Sequence, residues 1–243
     1  MIEYAIEHKI DYKNSMVKAA VCIGEPIRNL DNTLNALGTK ITEQWDIELF
    51  STYASTEMAT AFTECEFHDG NHIQPDLIFT EILNEAGDPV KEGEPGELVI
   101  TTLQNQTMPL LRFATGDILT YSEKPCKCGR NTLRLSALIG RKSQMIKLKG
   151  TSIYPQSIIE VMNGLDGIKN FVIEAKRGIA GVDEVIVKIP DTVSTDHVLL
   201  LKDAFKAKIL VTPKIEQVPE AVINDLKFQK GAVKAKVFID YRH

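Results

Sequence analysis

At 243 residues, with 44% hydrophobic and 25% charged side chains, the chain has the composition of an ordinary globular protein and room for one large core or two modest ones. Its 28 basic and 33 acidic side chains, net charge −5, are mixed along the sequence, which leaves no basic face for a nucleic-acid backbone. No apolar run approaches the roughly 20 residues of a membrane helix, and the start M-I-E-Y-A-I-E-H-K-I lacks a basic-then-apolar leader, so the cytoplasm is the default location.

The first predicted strand is V-K-A-A-V-C-I, residues 17–23, stopped by Gly24-Glu25-Pro26. Leu30, Leu34, Leu37, Ile41 and Trp45 then recur at three- and four-residue spacing, which predicts an amphipathic helix with Asp31 as its N-cap. A second short strand, D-I-E-L-F at 46–50, leads into S-T-Y-A-S-T-E. Strand, helix, strand makes a βαβ unit with parallel strands. Both post-strand segments, G-E-P and Y-A-S-T-E, then lie at the carboxyl edge of one sheet, where open α/β sheets bind ligands.

From about 76 to 140 the pattern changes to antiparallel strands and hairpins: P-D-L-I-F-T-E-I-L, a turn at N-E-A-G-D-P, G-E-L-V-I-T-T-L, a strand around Leu110 to Phe113, and T-L-R-L-S-A-L-I. Residues 141–243 read as a separate α+β unit. It has helices at Pro155–Asn163 and Thr195–Ile209, strands K-N-F-V-I-E-A and D-E-V-I-V-K-I, and the lysine-rich tail K-F-Q-K-G-A-V-K-A-K-V-F-I-D. The expected fold class is α/β followed by α+β. Residues 1–60 form the βαβ unit, 61–140 the β-rich region and 141–243 the smaller domain.

Four segments can carry chemistry. Tyr53, Ser55, Thr56 and Glu57 offer an aromatic for a base, hydroxyls for phosphate and a carboxylate for Mg2+; the same letters also suit a helix-capping loop. Thr115-Gly116-Asp117 reads first as a β-turn, although Asp117 is also suited to accept from the vicinal hydroxyls of a ribose. Arg112, just before it, is either an ion-pair partner or a phosphate contact. G-R-K-S-Q-M-I-K-L-K-G, 140–150, is a glycine-bounded strand with a basic face, and in the tail Lys230, Lys234 and Lys236 are equally eligible for any role.

Taken in order, G-E-P, Y-x-S-T-E, R-F-x-T-G-D, G-R-x-x-x-M-I-K-x-x-G and a lysine before V-F-I-D resemble the adenylate-forming enzymes, and within them the phenylacetate–coenzyme A ligase family. The resemblance implies a partial adenylate-forming core followed by a small mobile C-terminal domain. It implies that Gly24, Glu25 and Pro26 line the adenine site beside Tyr53, that Thr56 contacts phosphate and Glu57 holds Mg2+. Asp117 then binds ribose, Arg141 lies near ribose and phosphates, and Lys234 stabilises the adenylation transition state, with Lys230 as the alternative. The implied reaction joins a carboxylic acid to ATP as an acyl adenylate, then transfers the acyl group to coenzyme A. The implied hinge lies at or beside Ser143. Ala54 for the usual glycine, Ser143-Gln144 at the hinge and Val233 before the lysine depart from the family pattern.

Four cysteines, Cys22, Cys65, Cys126 and Cys128, are too few for a disulfide scaffold and fit a reducing compartment. Cys65-x6-His72 and Cys126-x-Cys128-Gly129 together supply four soft or borderline ligands, a set suited to a structural zinc; the alternative is unrelated thiols, with His68 as a competing histidine. Members of the same ligase branch show a similar spacing, which favours zinc. The serine/threonine- and glycine-rich phosphate loop of such ligases has no counterpart in residues 1–23. The chain is therefore expected to correspond to the second half of a ligase and to need a missing N-terminal half, or a homodimer partner, to cover its sheet edge and act on a carboxylic acid. The other expectation is a non-catalytic nucleotide-binding or zinc-stabilised interaction module.

Overall fold

A computed structural model of the chain describes residues 1–178, 182–228 and 235–242. It divides into two compact units, Met1–Lys142 and Ser143–His243.

The first unit opens with helix α1 (Ile2–Glu7), followed by β1 (Ala19–Ile23), α2 (Ala36–Gln44) and β2 (Glu48–Ser55). β1 and β2 are parallel, from Ala19 opposite Glu48 to Ile23 opposite Thr52, as the βαβ pattern requires. Helix α2 is shorter than the leucine spacing predicts. Residues 28–34 instead form a tight turn closed by an antiparallel bridge between Arg28 and Leu34. Asp31 spends its carboxylate on the Thr33 amide and hydroxyl, and Asn35 is the N-cap, its Oδ1 accepting from Gly38 N at 3.0 Å. Ile27, Trp45, Ile47 and Leu49 form the core here.

Gly38 lets α2 approach that core. A Cβ at this position would lie 2.7 Å from the Ile27 carbonyl oxygen and 2.8 Å from Leu34 Cδ2. Helix propensity favours alanine by about 1 kcal/mol, but overpacking against a backbone atom costs about 1–3 kcal/mol. Gly38→Ala is expected to destabilise, read as a lower urea midpoint at unchanged slope; a raised midpoint would contradict the close approach.

Short strands complete the unit: β3 (Thr60–Thr63), β4 (Asn71–His72), β5 (Ile78–Leu83), β6 (Gly96–Thr102), β7 (Phe113–Leu119), β8 (Tyr121–Ser122), β9 (Arg134–Leu135) and β10 (Gly140–Arg141). One sheet has the order β1-β2-β3-β4-β9-β8 and the other β10-β7-β6-β5. Their buried side chains, among them Met58, Phe62, Ile78, Leu98, Ile100 and Leu135, share one core.

The strand predicted around Leu110 to Phe113 is displaced: T-M-P-L-L-R, residues 107–112, lies outside the ladder and is largely exposed. Met108 is 58% and Leu111 83% exposed, and Arg112 has φ +47°. The backbone amides of Leu110 and Arg112 bond to the side-chain hydroxyls of Thr102 and Thr101, both at 2.9 Å, instead of joining the ladder. The strand starts only at Phe113, so Thr115-Gly116-Asp117 lies inside β7 and not in a terminal turn.

The second unit begins with the hairpin β11 (Ile146–Leu148) and β12 (Thr151–Ile153), then α3 (Pro155–Asn163), β13 (Val172–Arg177), β14 (Asp183–Pro190), α4 (Thr195–Ile209), β15 (Lys214–Val218), α5 (Glu220–Lys227) and β16 (Phe238–Asp240). The sheet order is β15-β14-β13-β16, with β16 parallel to β13. Alternation along β13 sends Ile173 and Ala175 toward α3 and α4, and Val172 toward Ile223 of α5. Among the described residues no helix is long and apolar enough to cross a membrane.

Candidate functional site

Asp117 is 7% exposed, and both its carboxylate oxygens are met by donors from other segments. Tyr53 Oη donates to Oδ2 at 2.7 Å, and Arg141 Nε to Oδ1 at 3.2 Å. The strand pairing explains this meeting, since Arg141 is the register partner of Asp117 across β10 and β7. Tyr53 comes from β2 and stacks on Phe62, ring centroids 6.2 Å apart. Burial, followed by the charge of Asp117, raises the phenol's pKa well above its ordinary value, so Tyr53 stays a hydrogen-bond donor across the working pH range. A held carboxylate beside an aromatic ring and a largely exposed guanidinium is suited to a diol, a planar base and a polyanion.

The other residues expected around a nucleotide lie at the carboxyl ends of β1 and β2. Gly24, with φ +90°, Glu25 and Pro26 follow β1, and Thr56 and Glu57 follow β2. Because the two strands are parallel, both segments emerge at one sheet edge. Gly24, Glu25, Thr56 and Glu57 are exposed, and among the described residues no hydrogen bond joins them to Asp117. S-T-E does not cap a helix; it forms the turn into β3. Arg112 pairs with Glu81 through Nε and Nη2, both at 3.1 Å, which makes it an ion-pair partner. Ser143 and Gln144 belong to a single 3₁₀ turn, Lys142–Gln144. Lys230 and Lys234 lie outside the described residues.

Cys65, His72, Cys126 and Cys128 converge, with all four ligand atoms within 4.8 Å of one another. Cys65 Sγ is 3.6 Å from Cys126 Sγ, and Cys128 Sγ is 3.6 Å from His72 Nε2. Tetrahedral zinc, with Zn–S about 2.3 Å and Zn–N about 2.0–2.1 Å, spaces its ligands by about 3.8 Å (S to S) and about 3.6 Å (S to N). The donor set suits zinc in identity, and these two pairs are near its spacing. Local turns present the thiols: His68 N bonds Cys65 O and Gly129 N bonds Cys126 O, both at 3.0 Å, with positive φ at His68 and Gly129.

His72 Nδ1 lies 2.8 Å from Thr132 Oγ1, which leaves Nε2 to face the thiols. Burial, then the nearby Arg130 and Arg134, lowers the pKa of His72 and so favours the neutral ring. Burial raises Cys65 to about 11. It pushes Cys128 the same way, but hydrogen bonds from the Arg130 backbone and side chain and from the neighbouring thiols bring it down to about 7. His68 stands apart, bonded to Glu64 at 2.8 Å and Glu48 at 3.1 Å. The hydroxyl of Thr132 had no signature in the sequence.

No family model matches the sequence. Over 129 residues, 52% of this chain, it is 33% identical to the phenylacetate-coenzyme A ligase of Thermus thermophilus. The chain is similar to phenylacetate–coenzyme A ligases. The Escherichia coli ligase of that name is 33% identical over 99 residues. The chain spans only 29% and 22% of the lengths of these two relatives. Among solved structures, 2-hydroxyisobutyryl-CoA ligase in the postadenylation state with 2-HIB-AMP superposes over 99% of this chain and 52% of its own, with TM-score 0.80 and 24% identity. An anthranilate CoA ligase in complex with anthranoyl-AMP superposes over 90% of this chain with TM-score 0.60 and 15% identity. At these identities the likeness shows the fold, and that fold is the α/β and α+β arrangement expected from the sequence.

Proposed function

We propose that the chain supplies the ribose-holding, zinc-stapled part of a cytoplasmic, AMP-forming acid–thiol ligase of the phenylacetate–coenzyme A ligase kind. In that reaction a carboxylate, proposed to be aryl, attacks the α-phosphorus of ATP and pyrophosphate leaves. The coenzyme A thiol then attacks the acyl carbonyl and AMP leaves. Asp117 accepts from the ribose hydroxyls, Tyr53 packs beside the base, Arg141 faces the phosphates, and Gly24-Glu25-Pro26 borders the adenine. Thr56 contacts phosphate, Glu57 is the Mg2+ ligand, and Lys234 or Lys230 meets charge developing at the α-phosphate. Turnover requires polypeptide that supplies a phosphate loop. Cys65, His72, Cys126 and Cys128 hold a structural zinc away from the chemistry.

The observation that carries this reading is the meeting of three separate motifs at one carboxylate, Tyr53 and Arg141 on Asp117. Calorimetry tests it: the chain should bind AMP, and Asp117→Ala should weaken binding by about 10- to 100-fold, the worth of charged hydrogen bonds. Absence of AMP binding by the unaltered chain would sink the ribose assignment. Mixed with the phosphate-loop half of such a ligase, the chain should also exchange pyrophosphate into ATP.

A further inference from the structure

The pairing of β6 with β7 breaks at the carboxylate. Glu97 faces Ile118 and Val99 faces Ala114, so Leu98 alone stands opposite the three residues Thr115, Gly116 and Asp117. Extra residues on one strand cost ladder hydrogen bonds and re-aim side chains. Here one side chain replaces the lost ladder. Thr115 Oγ1 donates to the Leu98 carbonyl at 2.8 Å and accepts from the Asp117 amide at 3.1 Å. Gly116 takes φ +77°, which lets the chain fold over that hydroxyl. On its other side Asp117 is fixed by β10.

From this we infer that Thr115 is the positioning residue of the site: its hydroxyl clamps the bulge between Leu98 and Asp117 and so aims the Asp117 carboxylate at the hydroxyls of a bound ribose. The ribose part rests on the function proposed above; the clamp itself does not. Tyr53 and Arg141 constrain the oxygens of Asp117, whereas Thr115 constrains its backbone. The Thr115 hydroxyl also interacts with the Tyr53 phenol, so backbone exchange at Asp117 is the readout that isolates the clamp. Valine keeps the shape of threonine and removes both hydrogen bonds. Serine restores them without the methyl group.

The test has two arms on the same three proteins, the unaltered chain, Thr115→Val and Thr115→Ser. Without nucleotide, amide exchange at Asp117 should accelerate at least about tenfold in Thr115→Val, return toward normal in Thr115→Ser, and stay unchanged at β13 and β14 of the other unit. With nucleotide, the unaltered chain should prefer AMP over 2′-deoxy-AMP, and Thr115→Val should reduce that preference about fivefold or more while Thr115→Ser keeps it. Unchanged Asp117 exchange in Thr115→Val overturns the clamp. Faster exchange with an intact preference for the ribose hydroxyl overturns the aiming role. Faster exchange in a chain that binds no AMP leaves the clamp standing and removes the ribose reading instead.

Discussion

Cys65→Ser is expected to abolish zinc retention and to strip about 4 kcal/mol from the Met1–Lys142 unit, the linkage due when free metal exceeds its Kd a thousandfold. The sensitivity follows from the short ladders at that end of the sheet, where the other tie is the buried Arg134, which donates to the carbonyl and carboxylate of Asp69 and to the Lys124 carbonyl. β4, β8 and β9 are two residues each, and β4 meets β3 at a single register pair, Thr63 with His72. Such short ladders fix few residues. Ligands at Cys65 and His72 would be tied to the Cys126–Cys128 loop some sixty residues further on, closing a long segment whose ends would otherwise cost entropy to hold together. Metal analysis of the purified chain should return one zinc per molecule. Chelation should lower the melting temperature and speed amide exchange in β4, β8 and β9, leaving β13 and β14 as internal controls. Retention should weaken as pH falls, because protons compete for the thiolates and the imidazole. A chain that carries no stoichiometric zinc, and whose melting is indifferent to Cys65→Ser, would return these residues to unrelated thiols.

The cysteine cluster also marks where the sequence could be read and where it could not. Four ligand types at suggestive spacings are visible in the letters, but the closure depends on β4 pairing with β9, which no local pattern announces. Helices α3 and α4 fall at the predicted residues: α3 has a strong apolar periodicity, whereas α4 is only weakly amphipathic, with Leu199 and Leu200 exposed, and is started by its Ser194 cap. α2 was overextended because Leu30 and Leu34 fit the same period while Asp31 and Thr33 were closing a turn against it. T-M-P-L-L-R misled for a related reason: apolar letters predict burial only when the backbone can join a ladder, and here the hydroxyls of Thr101 and Thr102 compete for its amides. β15 and α5 lie between the predicted helix Thr195–Ile209 and the lysine-rich tail, in a stretch for which no element is predicted. Asp117 was legible as a residue, but the clamp that aims it was not, since a bulge is a property of two strands and the sequence displays one at a time.

Arg28 is the clearest case of a residue invisible in the letters and large in expected effect. Its side chain is 9% exposed, against 2% for its partner Glu64. Nε and Nη2 donate to the two Glu64 oxygens at 2.8 and 3.1 Å, and Nη2 also donates to the Leu49 carbonyl at 2.9 Å. The pair joins the turn after β1 to β2 and to the residue beside Cys65. Removing one partner of a buried pair strands the other charge, at about 3–5 kcal/mol, whereas removing both is often close to neutral. Arg28→Met should therefore cost about 3–5 kcal/mol, softened by the His68 hydrogen bond that Glu64 keeps. The double variant Arg28→Met with Glu64→Leu should be more stable than the sum of the two singles predicts, a coupling that a denaturation cycle measures directly. Strict additivity, or an Arg28→Met cost below about 1 kcal/mol, would show the pair to be solvated in practice. Since Glu64 precedes Cys65, Arg28→Met should also weaken zinc binding modestly: the Glu64 carboxylate beside the thiol would lose its main partner, while the Glu64 amide keeps its bond to Ser51 O of β2.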